Sequence, residues 1–450
     1  MAALDRGFPR PERPLADKRA GLSAPGDAMT DDPRNLEREP AVEAPAEDRF
    51  AAFRNTRFLR YWLARFLAAF AVQVVAVSVG WQIYDLTRDP LDLGLIGLSQ
   101  FLPALLLVFV TGTVADRYSR RHIMALAILV EAAGAGVLLA LTYAGLVSPA
   151  PVFAVLVLFG VARAFFGPAA SSLVVNLVSK DELANAIAWN SSSWQIASIV
   201  GPVAGGLLYG VSSHLSYSVA LALFVAAGIL ILSVPAPAQR ASREPASLST
   251  VLAGFRYIWR EKVVLGAVSL DLFAVLLGGA VALMPVFARD ILQVDEFGLG
   301  LLRAAPGVGA LLTAIWLAAH PVKDHAGLVM FAFVALFGGF TMLFGLSTSP
   351  WLSIAALMLM GAADMISVYI REILLQLWTP DDVRGRVNAV NSIFVGASNE
   401  LGEFRAGVMA SVVGAVPATV IGGACTVAIA GLWAWAFPQL RRARSLAARE

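Results

Sequence analysis

Gly112-Thr-Val-Ala-Asp116-Arg117-Tyr-Ser-Arg120-Arg121 places four charges within ten residues, between two runs, 93–115 and 123–143, that are almost wholly apolar. A bilayer core about 30 Å thick is crossed by about 20 apolar residues in helical form. Inside it each backbone amide must find its partner within the segment. The stretch therefore reads as a short charged turn at a membrane surface, joining two spanning helices. Outward from it, runs at 58–84, 152–178, 184–209 and 215–234 complete a set of six. A second set lies at 263–287, 298–318, 327–346, 352–377, 387–412 and 416–435. The expected fold is an all-α membrane protein of twelve transmembrane helices in two pseudo-symmetric six-helix bundles, 56–234 and 263–437. Between them, 235–262 is a polar Pro/Arg/Ser linker ending in an amphipathic stretch, 252–260. Residues 1–55 are rich in Pro, Ala and charge and are expected to be a disordered tail, with Met29 as another possible start. Residues 438–450 form a second tail.

Composition and charge agree with this reading. Of 450 residues, 58% are hydrophobic and 15% charged, against roughly half and a quarter in soluble domains. A net charge of +2 without a clustered basic face argues against a nucleic-acid partner. The one cysteine, Cys425, excludes an internal disulfide, and the four histidines show no zinc spacing, so no metal or cofactor is expected. With the N-terminus inside, the twelve-span count sorts the 117–121 cluster, the linker arginines and the 441–444 tail to the cytoplasmic side. It leaves Arg88 and Arg289 on the other side, as the positive-inside rule requires. Both termini are then expected in the cytoplasm.

The halves echo each other. Gly97-Leu-Ser-Gln100-Phe-Leu-Pro103 returns as Gly300-Leu-Leu-Arg303-Ala-Ala-Pro306, and Asn176-Leu-Val-Ser179-Lys-Asp181-Glu182-Leu183 as Gln376-Leu-Trp-Thr379-Pro-Asp381-Asp382-Val383. Both spacings are close to the length of a six-helix unit. Parallel halves of this kind frame a midplane cavity whose access alternates as one half rocks against the other.

The 112–121 stretch resembles the signature loop of the major facilitator superfamily: Gly, three residues, Asp-Arg, two residues, Arg-Arg. The resemblance implies a conformational latch formed by Gly112, Asp116, Arg117, Arg120 and Arg121. Its second-half equivalent, 313–325, has Ala319 where Asp116 would stand, which makes any latch asymmetric. Arg163-Ala-Phe-Phe-Gly167-Pro-Ala-Ala170 resembles the family's fourth-helix motif, which implies a part in proton coupling. Arg163 lies roughly 16 Å along its span, where a cation needs water or a partner. A purely structural ion pair is the alternative. Asp364, at nearly the duplicated position, is the candidate partner of Arg163 and a candidate proton carrier.

Gly201-Pro202-Val-Ala-Gly205-Gly206 resembles the core of a motif associated with drug and metabolite exporters, although the upstream glycines are replaced by Trp189 and Ala197. Gln73, Gln100, Trp194, Asn391 and Glu400 are candidates for the substrate cavity. Arg405 is placed to neutralise Glu400 or Glu403, while Glu131 and Asp271 are expected to reach the cytoplasmic interface. The cavity is expected to hold few charges.

The opening Phe53-Arg-Asn-Thr-Arg57-Phe-Leu, the 249–258 linker helix and Gly385-Arg386-Val-Asn388-Ala-Val-Asn391 resemble the enterobactin-exporter and secretion-effector branch. The resemblance implies a monomeric secondary transporter of the bacterial inner membrane, exporting a siderophore, drug-like or other amphipathic small molecule against protons. Import, uniport and a non-transporting sensor are the alternatives. No HExxH, GxSxG or Walker sequence is present, so no catalytic residue is assigned and direct ATP-driven pumping is excluded.

Overall fold

The structure, a computed structural model, describes residues 50–179, 181–235, 248–322 and 324–442. Expectations for the first 49 residues, for 236–247 and for the last eight lie outside the described residues, as does the side chain of Asp116. The first half comprises α1 (Thr56–Thr87), α2 (Pro90–Arg117), α3 (Arg120–Ala144), α4 (Pro149–Val174), α5 (Leu183–Val211) and α6 (Ser213–Leu232). The linker helix is α7 (Leu248–Arg260). The second half follows as α8 (Lys262–Gly278), α9 (Glu296–Ala319), α10 (Ala326–Leu346), α11 (Pro350–Trp378), α12 (Asp381–Val413) and α13 (Ala415–Ala436).

Helix starts are written locally. Asn55, Asp89, Ser212 and Asp295 each accept a backbone N–H of the first turn with their side chains. Pro90, Pro149 and Pro350 stand near helix starts, where a missing amide donor costs nothing.

Eleven helical stretches among the described residues are long and apolar enough to cross a membrane. The twelfth span is α12, which has the length but carries Glu400, Glu403 and Arg405. It reads as polar because it turns carboxylates to the interior of the bundle. The seventh span is broken, unlike the continuous run 263–287 that hydropathy suggests. After α8 the chain passes Gly279 and Ala280, then a 3-10 turn (Val281–Leu283), a short turn (Met284–Val286) and a π turn (Phe287–Ile291). Gly278 abuts Thr426, Gly279 abuts Gly402, and Pro285 offers no amide donor, so the helix is interrupted where it meets α12 and α13. The linker helix starts earlier than expected, at Leu248. It lies on α12 with Gly254 against the Arg386 carbonyl, buries Ile258, and donates from Tyr257 Oη to the Trp378 carbonyl at 2.7 Å.

Each half has its own apolar core, one centred on Phe58, Tyr61, Phe159 and Phe224, the other on Met330, Phe331, Ile370 and Leu374. A third core joins the halves. Val77, Trp81, Tyr84 and Leu93 pack with Leu283, Phe287, Leu299 and Phe344 at the end of the bundle where α1 stops and α2 starts. There α2 packs on α12 and α5 on α9, the same arrangement with the halves exchanged.

Candidate functional site

Glycines set how close the halves come. Gly94 meets the backbone of Phe404 and Gly407, Gly206 meets the Glu296 carbonyl, and Gly300 meets Pro202 and Val203. No side chain fits between these backbones. Of the exporter-like segment, Gly201 and Gly205 seat α5 on Gln73, Val74 and Val77 of α1, while Pro202 and Gly206 seat it on α9 of the other half.

The same end carries an ionic clasp. Arg289 Nη2 lies 2.6 Å from Asp85 Oδ1, and Arg88 Nη1 lies 3.1 Å from Asp290 Oδ1. Arg88 Nη2 also reaches Asp85 at 3.2 Å, Tyr84 donates its hydroxyl to Asp290, and Arg289 stacks over Trp81 with its guanidinium carbon 5.2 Å from the ring centre. Arg88 adopts φ 54° as the residue after α1, which turns the chain into α2. Sequence reasoning sorted these arginines by sidedness and missed the clasp. The signal was there: the two arginines on that side each have an aspartate within three residues.

Inside the clasped end lies a cavity of about 560 Å³ lined by both halves. Val72, Gln73, Ala76, Gln100, Arg163, Trp194, Ser198 and Pro202 come from the first half; Val281, Pro285, Arg303, Pro306, Asp364, Asn399, Glu400 and Glu403 come from the second. Five of these side chains are charged, so the cavity is more ionic than composition suggested. Towards the opposite end Val175 and Ile187 are exposed, as are Arg163 and Trp194 on the cavity wall.

Arg163 Nη1 donates to Glu400 Oε1 across the halves at 2.9 Å. The partner is thus Glu400, not Asp364, because α12 rather than α11 brings a carboxylate to α4. Asp364 faces the same cavity; the charges acting on it are Asp271 and Arg371. Those two form an ion pair within the second half, with side chains 9% and 4% exposed. Asp271 therefore does not reach the interface, and neither does Glu131, which is 6% exposed. Both lie on helix faces turned inward.

Glu400 and Glu403 converge on Gly97, whose missing side chain leaves their carboxylates 3.2 Å from the Cβ position. The cations beside Glu403 are Arg303 and Arg163. Arg405 points elsewhere, to the Gly279 carbonyl at 3.5 Å and Met409 Sδ at 3.4 Å. It follows Glu403 by two residues and so leaves that face of the helix. Asn391 lies outside the cavity, buried and donating to Glu372 Oε1 at 3.2 Å. In the 112–121 loop, Arg120 donates to the Ser172 carbonyl and Arg121 to the Val234 carbonyl, both within the first half; Arg117 is exposed.

Comparison with known proteins is consistent across fold and sequence. The family model described as transmembrane secretion effector matches residues 47–449. The enterobactin exporter EntS of Shigella boydii serotype 18 is 27% identical over 346 residues, 74% of this chain and 80% of that protein. EntS of Escherichia coli O1:K1 / APEC is equally identical over 348 residues. Among solved structures, a bacterial homologue of the human lysosomal transporter Spinster, inward-facing and unoccupied, superposes with TM-score 0.67 at 15% identity, covering 87% of this chain and 97% of that one. An inward-facing bacterial homologue of the iron transporter ferroportin gives 0.65 at 16%, covering 86% and 99%. With a multi-pass bundle of two such halves around one cavity, the chain belongs to the transmembrane secretion effector family, a membrane transporter of the major facilitator type.

Proposed function

We propose that the protein is a proton-coupled exporter of the bacterial inner membrane, expelling an amphipathic small molecule by alternating access. The observation that carries this reading is the Arg163–Glu400 pair, which bridges the halves in a cavity clasped at one end. An ion pair spanning a rocking interface is made in one state and broken in the other, so charge neutralisation and cavity orientation are linked. The clasped end is the outer face in this reading, with both termini in the cytoplasm and cargo entering from the inside. The apolar walls at Val72, Ala76, Trp194 and Val281, set against five charged groups, suit cargo with a hydrophobic body and polar substituents, a siderophore or drug-like compound among them. The similarity to EntS supports export. One chain supplies both halves of the cavity, which supports a working monomer.

The 112–121 loop is proposed as the latch of the opposite state, in which Asp116 engages a cation while the outer end is open. Asp364 is proposed as a second carboxylate of the coupling machinery.

Everted vesicles containing the protein, energised to an acid interior and followed with a quenched pH dye, test the function. A panel of siderophores, cationic drugs and lipophilic acids is added in turn. Selective dequenching by one class, lost in Arg163→Ala vesicles of equal protein content, is the expected result. Dequenching that persists undiminished in Arg163→Ala removes that side chain from coupling. Silence across the panel with folded protein contradicts proton antiport of these compounds.

A further inference from the structure

Arg163 also lines a second chamber, about 280 Å³, built from the first half alone. Glu131 of α3 faces it at 6% exposure, roughly 16 Å along its helix. Among the described residues Glu131 makes no hydrogen bond and no ion pair, and Arg163 of α4 is the charge that acts on it. From α1 the chamber receives Arg65; α2 and α5 bring the uncharged Gln100 and Asn190. The remaining neighbour, α6, packs on α3 through apolar side chains such as Phe224.

A carboxylate held out of water inside a membrane protein is costly unless it is paired or protonated. Here the cation that acts on Glu131, Arg163, is held by Glu400 of the other half at 2.9 Å. Helices α3 and α4 pack within one half, so the relation of Glu131 to Arg163 survives rocking, whereas the bond to Glu400 spans the interface that rocking breaks. The Arg163 side chain is 58% exposed and has room to turn.

We propose that Glu131 is a proton-binding site that is occupied while Glu400 engages Arg163 and is emptied when the halves part and Arg163 turns to Glu131. Each passage between states then exchanges one proton between the Glu131 carboxyl and solvent, with no covalent change elsewhere. This rests on the proton-coupled reading and adds to it the group that carries the proton.

The test uses spin labels at Leu146→Cys and Trp351→Cys, exposed positions at the clasped end of the two halves, in a Cys425→Ser background in nanodiscs. Electron–electron distance distributions are recorded from mildly acid to mildly alkaline pH. The parent is expected to shift with pH. Glu131→Gln is expected to lose the shift and hold the acid-limit distribution of the parent, and Glu131→Asp to keep a shift with a moved midpoint. A Glu131→Gln protein that follows the parent overturns this assignment and leaves the proton on another carboxylate, with proton coupling intact. A parent that does not respond to pH overturns proton coupling itself. If Glu131→Gln does not assemble, Glu131→Asp decides: a moved midpoint supports the site, and an unmoved one overturns it.

Discussion

At the residue scale, Asp271 and Arg371 illustrate what a buried charge demands. Their side chains are 9% and 4% exposed, and they neutralise each other between α8 and α11. Removing one partner of such a pair strands the other, at a cost of about 3–5 kcal/mol. Asp271→Asn is therefore expected to lower thermal stability in detergent by that order. An Asp271→Leu/Arg371→Met pair should recover most of the loss, because two apolar groups leave no orphaned charge. A single variant as stable as the parent contradicts the pairing.

Single residues were unevenly legible. Arg163 stood out because a cation amid apolar neighbours is conspicuous in sequence. Its partner did not, because the bond joins positions 237 apart, and the duplicated position pointed to Asp364 instead. Gln73, Gln100, Trp194 and Glu400 were singled out for polarity or bulk in apolar runs, and the structure places all four on the cavity. Asn391 shared that signal but pairs with Glu372. Polarity alone does not say which side of a helix a residue occupies.

At the scale of elements, glycines divide into two sets by what they touch. Gly160 abuts the Gln100 carbonyl, and Gly361 abuts the Pro306 carbonyl, each inside one half. Gly206 and Gly300 instead abut the opposite half. Added methyls in packed interiors cost about 1–3 kcal/mol. Gly160→Ala and Gly361→Ala should lower the melting temperature, since no conformation relieves them. Gly206→Ala and Gly300→Ala should leave melting nearly unchanged and displace the halves towards the state with the clasped end open, read as a longer distance between the labels at Leu146→Cys and Trp351→Cys. Equal melting losses in both sets contradict the division. The spans themselves were legible, because length and apolarity determine which segments enter a bilayer. The break after α8 was not, since hydropathy carries no information about backbone conformation. The span of α12 was legible as a run at 387–412 despite its carboxylates, and the sorting of charged loops supported the count that includes it.

For the molecule as a whole, the clasp and the apolar core beside it hold one end shut. Its ion pairs are 31–50% exposed at their side chains, and pairs of that kind contribute at most about 1 kcal/mol each. They act beside the apolar core of Val77, Trp81 and Phe287. One broken pair changes the balance of states by about fivefold or less, a bias suited to a closure that must open in every cycle. In the proposed cycle the clasped end is the outer face and alternates with the inner one. The most direct measurement is labelling of Ser198→Cys, on the cavity wall, by a membrane-impermeant maleimide in a Cys425→Ser background. Everted vesicles should label quickly and right-side-out vesicles slowly, and Arg289→Ala should raise the slow rate severalfold. Fast labelling from the outer face in the resting protein, or an outer rate indifferent to Arg289→Ala, would contradict the account.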